Sequence, residues 1–252
     1  MIAGKPSVLI ADDDPVSLRY LQGAVEQCGC VTLAAADAHA ALRKLPAPPQ
    51  AVDLLLLDRR MPGLDGCALL RELRARGVGA PAVATSAEID ADIDGALREA
   101  GFAATLRKPA ALAEIHDVLR RFAGVAVPRV ADTFTEADGA ALLDDETALA
   151  AVGGDRSAVR ALRALLVGEL AGMNDAEVMM SSVTAAAALA ERLHRLRASC
   201  GICGALRLRD AAARLEASLL NDAAHAEENL RAFYDALRAT SKALAADQEN
   251  DS

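Results

Sequence analysis

Short apolar runs alternate with helical stretches through the first half of the chain, and the alternation stops near Gly124. SVLIA (7–11), VTLAA (31–35), DLLLL (53–57), PAVAT (81–85) and AATLR (103–107) are strand candidates. Each is too short for a helix, and most are apolar on both faces, as strands buried in a parallel sheet are. PVSLRYLQGAVEQ, DAHAALRKL, DGCALLRELRAR, DADIDGALREA and PAALAEIHDVLRRF follow them in turn and space Leu, Val and Ala at helical intervals. This order predicts a parallel sheet with right-handed crossovers and helices on both faces.

The second half has no strand-like run. DDETALAAV reads as a short helix, and DRSAVRALRALLVGELAGM, SVTAAAALAERLHRLRASCGICG, ALRLRDAAARLEASLL and AEENLRAFYDALRATSKALA as longer amphipathic ones. Turns are marked by GGD (153–155), MND (173–175) and ND (221–222). The pattern predicts an antiparallel helix bundle. The expected division is a first domain over 1–123, a linker over 124–140, a helical domain over 141–246 and a disordered tail over 247–252.

A length of 252 residues suits two ordinary domains. With no Trp, two Tyr and four Phe, the cores must be built from Leu, Val, Ile and Ala. The net charge of −9 divides as −2 before residue 125 and −7 after it. Neither part has the basic surplus that binding a phosphate backbone needs, so nucleic acid and anionic membrane are not expected partners. Five cysteines make no secreted disulfide framework. The apolar run of MIAGKPSVLIADDD is short for a signal peptide, and no segment reaches the roughly 18–20 apolar residues of a membrane span. The expectation is a soluble, cytoplasmic protein.

Ligands of a doubly wound sheet bind beyond the carboxyl ends of its strands. The unusual polar residues lie there. Asp12 and Asp13 follow the first strand, Asp58 ends the third, Thr85 ends the fourth, and Lys108 follows the fifth. Acids after strands often cap helices, and Asp14-Pro15 opens one in that way. The other acids have a further reading. Carboxylates gathered in one pocket repel each other, and one lysine cannot balance them. A divalent cation with all-oxygen ligands, Mg²⁺, would. A carboxylate beside a metal, an ammonium and a hydroxyl has what phosphoryl transfer to Asp58 requires.

The stretch ERLHRLRASCGICGA (191–205) raises a second question. Leu189, Leu193, Leu196 and Cys200 recur at helical intervals as a buried stripe. His194 lies about 100° from Leu193, among Ala187, Ala190, Glu191, Arg197, Ala198 and Gly201. That face predicts an exposed ring with low walls. Arg197, one turn on, is placed to pair with a phosphoryl group on His194. Arg192, Arg195, Arg197, Arg207, Arg209 and Arg214 make a local basic concentration that an acidic pocket would meet quickly. A core histidine, a metal site with Cys200 and Cys203, and a Cys-x-x-C redox pair are the competing readings. The metal site lacks further ligands, and a redox pair belongs beside a βαβ unit, so small buried packing is expected of both cysteines.

VLIADDDP, DLLLLDRRMPGLDG, VATSA and LRKP together resemble the receiver domain of two-component response regulators, over about residues 6–123. The resemblance implies a flavodoxin-like five-stranded fold with Asp58 as phosphoacceptor. It implies Mg²⁺ held by Asp13, Asp58 and the backbone carbonyl of Arg60, with Asp12 acting through water. Thr85 and Lys108 would hold the phosphoryl group. Two departures stand out. Thr105 occupies a position that is often aromatic, and Arg60 could overhang the phosphoryl group. HRLRASCGICGA, within about 141–245, resembles the core of histidine phosphotransfer domains, which are four-helix bundles. It implies His194 as the phosphohistidine, with Arg197-Ala198 in place of the usual Lys-Gly and Arg197 supporting the phosphoryl group.

The expected function is that of a phosphorelay carrier rather than a conventional enzyme. Its partners would be a sensor histidine kinase and another receiver, and no DNA-binding output is expected. The alternative is a receiver-controlled adaptor whose helical domain docks a kinase or regulator without carrying phosphate. An enzyme using the cysteines is a third.

Overall fold

In the computed structural model, residues 5–87, 89–125, 142–173, 183–221 and 225–249 are described. The chain divides into two compact units, Met1–Thr133 and Phe134–Ser252. The stretch expected as a linker lies almost wholly outside the described residues.

The first unit is built from β1 (Ser7–Ala11), α1 (Pro15–Gln27), β2 (Val31–Ala35), α2 (Ala38–Arg43), β3 (Leu54–Asp58), α3 (Gly66–Ala75), β4 (Ala82–Ser86), α4 (Ala91–Glu99), β5 (Ala104–Arg107) and α5 (Leu112–Phe122). All strand pairs are parallel, in a five-stranded sheet of order β2-β1-β3-β4-β5. Leu54 to Leu57 and Val8 to Ile10 are fully buried, which explains their continuous apolar runs: helices cover both faces. Leu9, Ala11, Leu55, Leu57, Ala82 and Ala84 share one core with Leu69, Leu70 and Leu73 of α3 and Leu97 of α4. On α1, the Tyr20 hydroxyl donates to the Ala110 carbonyl at 2.8 Å, tying α1 to the segment before α5. Asp14 caps α1 through Val16 N–H, with Pro15 in the first turn.

The chain moves from β1 to β2 on one side and then to β3 on the other. The strand order therefore reverses between β1 and β3, where such sheets open a crevice. Register pairs Ala11 with Leu57, Asp58 with Thr85, and Ser86 with Arg107. β3 and β4 thus place Asp58 and Thr85 side by side at that edge, and β1 and β5 place Asp12 and Lys108 one residue past their ends.

The second unit is helical: α6 (Asp145–Ala151), α7 (Arg156–Ala171), α8 (Val183–Ile202), α9 (Leu206–Asn221) and α10 (Ala226–Glu249). α7 packs on α8, α8 on α9, α9 on α10 and α10 on α7, while α6 lies against α7 and α8. Leu166, Leu189, Leu193, Leu196, Leu208, Leu215 and Phe233 fill the core at 0% exposure. Buried Arg163 joins three parts of this unit. It donates to Asp145 at 2.7 Å, Asp247 at 3.0 Å and the Cys203 carbonyl at 3.3 Å. The tail expected to be disordered from 247 instead continues α10 to Glu249. A buried guanidinium needs counter-charges, and Asp247 is one of them.

Candidate functional site

Asp12, Asp13 and Asp58 offer carboxylate oxygens that all lie within 4.8 Å of one another. Among the described residues they are the only such cluster of acid, histidine and cysteine ligands. Lys108 Nζ stands between two of them, 2.6 Å from Asp58 Oδ2 and 2.7 Å from Asp12 Oδ2. Asp12 is fully buried and heavily engaged: Oδ1 accepts Asp14 N–H at 3.1 Å and Oδ2 accepts the Ser17 hydroxyl at 2.8 Å. Asp58 Oδ1 accepts Arg60 N–H at 3.2 Å. Thr85 Oγ1 is buried with no hydrogen-bond partner, next to Asp58 in the sheet register. A buried hydroxyl is rarely left unmet unless a further group completes it.

The charges are tuned by burial. Desolvation pushes the Asp58 carboxyl up to about 6; Lys108 opposes the rise and Asp12 adds to it. It is therefore still largely ionised at neutral pH. Burial disfavours the Lys108 ammonium, but Asp12 and Asp58 outweigh that and hold its pKa well above the ordinary lysine value. Oxygen donors gathered around one point, with an excess of negative charge, fit a hard divalent cation.

Gly66 explains how α3 closes over the end of β3. Its N–H donates to the Arg59 carbonyl at 3.1 Å, and a Cβ there would overlap the Asp58 carbonyl oxygen. Arg59 reaches across to Ser86, Nε to Oγ at 3.1 Å, linking the ends of β3 and β4. Neither contact is local in sequence.

The second candidate, His194, sits otherwise than expected. The residue is 6% exposed, not open on a helix face. Ala190, Ala198 and Gly201 beside it are also buried. A single-helix projection ranks faces only relative to their own helix; α9 packs against α8 and closes this one. Ala198 therefore does not present its methyl on an open surface. His194 Nδ1 lies 2.8 Å from Glu216 Oε1, and Arg197 Nη1 donates to Glu216 Oε2 at 2.7 Å. Arg197, expected to wait for a phosphoryl group, is engaged with a carboxylate. Glu216 carried no signal in the sequence, because it lies 22 residues from His194 in a helix of its own. Its pKa is lowered: burial works against the charge, and the hydrogen bonds from His194 and Arg197 prevail. Cys200 and Cys203 are fully buried and form no ligand cluster with His194 among the described residues, consistent with a packing role.

Residues 8–120 match the response regulator receiver domain family, on the same segment that carries the acidic crevice. The N-terminal unit is a receiver domain. A 235-residue match to the sensor protein GacS of Pseudomonas syringae pv. syringae is 29% identical and covers 89% of this chain and 26% of that one. The signal transduction histidine-protein kinase BarA of Shigella flexneri matches at 25% over 84% of this chain and 24% of its own. The transcriptional regulatory protein AruR of Pseudomonas aeruginosa is 45% identical over 74 residues, covering 28% of this chain and 30% of its own. The chain thus spans about a quarter of the sensor proteins it resembles. Among solved structures, the Francisella response regulator 1452 receiver domain matches at 28% identity and a TM-score of 0.41, covering 46% of this chain and 98% of that one.

In this receiver, Thr105 Oγ1 donates to Asp94 Oδ1 at 3.0 Å, so β5 and α4 are joined by a hydrogen bond where an aromatic ring is often found. Arg60, two residues past Asp58, keeps its backbone on the carboxylate. Replacing it with alanine is expected to change the lifetime of an acyl phosphate on Asp58 severalfold, measured as loss of label over time. An unchanged decay rate would show that the Arg60 side chain plays no part.

Proposed function

We propose that this chain is a phosphorelay carrier with two phosphoryl stations, Asp58 in the receiver (1–123) and His194 in a histidine phosphotransfer-like four-helix bundle (141–246). The observation that carries the reading is the convergence of Lys108 on both Asp12 and Asp58, beside the partnerless Thr85 hydroxyl. Mg²⁺, held by Asp13, Asp58 and the Arg60 carbonyl, with Asp12 acting through water, would neutralise charge on the phosphoryl oxygens. Asp58 attacks the phosphorus of a kinase phosphohistidine, and the electron pair of the broken N–P bond returns to the kinase imidazole. Lys108 moves from ion pair to phosphoryl oxygen, and Thr85 donates to another. His194 would exchange phosphoryl with a receiver aspartate in a separate regulator or in this chain, through the opening that leaves 8% of its side chain exposed. The match to GacS covers 89% of the chain and so extends through both units. That supports reading them as one signalling module. No helix of the described residues is long and apolar enough to cross a membrane.

Acid and alkali lability of label separates the stations, since phosphohistidine is lost in acid and acyl phosphate in alkali. With a kinase and a phosphorylated receiver present, Asp58→Asn removes the alkali-labile class and His194→Gln the acid-labile one. The adaptor reading is favoured by one observation, the small exposure of the His194 ring. It wins if His194→Gln loses no label in any kinase–receiver mixture.

A further inference from the structure

Asp12 lies at 0% exposure, where a carboxylate costs stability unless it is paired and hydrogen-bonded. Two kinds of donor meet it. Asp14 N–H on Oδ1 at 3.1 Å and the Ser17 hydroxyl on Oδ2 at 2.8 Å both come from the N-terminal end of α1. Lys108 comes from beyond β5 and is shared with Asp58. A helical serine commonly donates to the carbonyl four residues back. Ser17, the third residue of α1 and itself 2% exposed, donates instead to a carboxylate five residues back. One turn on, the Tyr20 hydroxyl holds the Ala110 carbonyl, two residues past Lys108. One helix therefore steadies both the carboxylate and the backbone behind the ammonium, which leaves the Lys108 side chain as the part that can move.

We propose that Ser17 is a positioning residue of the receiver: its hydroxyl holds the Asp12 carboxylate when Lys108 turns to the phosphoryl group, so that one lysine serves two carboxylates without stranding either. The proposal rests on the reading in which Lys108 moves from the ion pair to a phosphoryl oxygen. In the free receiver the ammonium lies 2.7 Å from Asp12 and 2.6 Å from Asp58. A phosphoryl group on Asp58 draws the ammonium to itself, and the hydrogen bonds that stay on Asp12 are those from α1. A hydrogen bond to a charged group is worth more than one between neutral groups, and its weight grows as the competing cation withdraws. Ser17 therefore contributes more to the phosphorylated receiver than to the free one. Without it, the buried carboxylate pulls Lys108 back and opposes the hold of the phosphoryl group on it.

The test is the affinity of the full chain for beryllofluoride, a phosphoryl mimic, in magnesium buffer, read by ¹⁹F NMR and set beside thermal melting without the mimic. Ser17→Ala is expected to weaken beryllofluoride binding about tenfold, the scale of one hydrogen bond to a charged group, while the melting temperature of the free receiver falls by only about 5 °C. Ser17→Cys, of similar size with a weak donor, falls between wild type and Ser17→Ala, and carries the test if the latter does not fold. Ser17→Thr keeps the hydroxyl and restores wild-type affinity. Lys108→Met weakens binding strongly, as the reading of Lys108 requires. A Ser17→Ala variant that melts lower yet binds the mimic as wild type does overturns the proposal and leaves the reading of Lys108 standing; Ser17 is then a buried serine satisfied by the nearest acid. Equal losses in Ser17→Thr and Ser17→Ala overturn it too, since size rather than the hydroxyl then matters. Unchanged binding in Lys108→Met overturns the reading of Lys108 itself, and with it the ground of the proposal.

Discussion

In magnesium-free buffer at pH 8, Asp58→Asn accepts no phosphoryl group, yet its receiver unit melts at a higher temperature than that of the wild type. The loss of function follows from the loss of the nucleophile. The gain in stability follows from burial. The Asp58 carboxyl is pushed from 3.8 to about 6 in the folded protein, so the folded state holds this proton more tightly than the unfolded chain does. The stability it contributes is fully present below about pH 4 and is lost as pH rises through 6. At 1.36 kcal/mol per unit, the ionised residue costs the folded receiver about 2–3 kcal/mol above that range. Lys108 keeps Asp12 at 2.7 Å when Asp58 is neutralised, so the ammonium is not stranded. The advantage of the asparagine variant should shrink toward zero between pH 7 and pH 4. Added Mg²⁺ should raise the wild-type transition and move that of the variant far less. Thermal melting at several pH values checks this, with the receiver transition identified as the one magnesium moves. A variant less stable than wild type at pH 8 without metal would mean that the Lys108 ion pair outweighs burial.

The second large effect is structural. Gly204→Ala is expected to lower the melting temperature of the helical unit by about 10–20 °C, corresponding to about 3 kcal/mol in a unit of this size. Gly204 has φ +73°, and a Cβ there would overlap the Asp144 carbonyl oxygen. The Gly204 carbonyl accepts Asp144 N–H at 2.8 Å, and Asp144 caps α6 through Thr147. Alanine therefore meets left-handed strain and a backbone collision at the point where α6 docks on the end of α8. Gly168 in α7 has nothing within 4 Å of its ideal Cβ. Gly168→Ala is the control, and should raise stability by about 0.5–1 kcal/mol through helix propensity. Helical circular dichroism on heating reads both, while the magnesium-sensitive transition should stay in place.

The receiver crevice is legible in the sequence because a parallel sheet puts every strand end on one edge. Asp12, Asp13, Asp58, Thr85 and Lys108 needed only their positions after apolar runs to be brought together. The buried stripe of α8 is legible for a similar reason, since Leu189, Leu193 and Leu196 repeat at helical spacing. What surrounds His194 is not. Its cover and its partner come from α9, and a helical projection of one segment contains nothing about the next. The same limit hides Arg59 on Ser86 and Asp247 on Arg163. These polar contacts join elements that no local spacing relates, and the last of them turns an apparently loose tail into the end of α10.

The measurement closest to the central claim is phosphopeptide mapping by mass spectrometry at neutral pH. The full chain is incubated with a histidine kinase, ATP, Mg²⁺ and a receiver that the kinase phosphorylates. Two modified residues are predicted, Asp58 and His194, with the His194 mark persisting in Asp58→Asn when a separate phosphorylated receiver is supplied. A phosphoryl group found on Asp58 alone, with His194 unmodified under every combination of donor and variant, would contradict it.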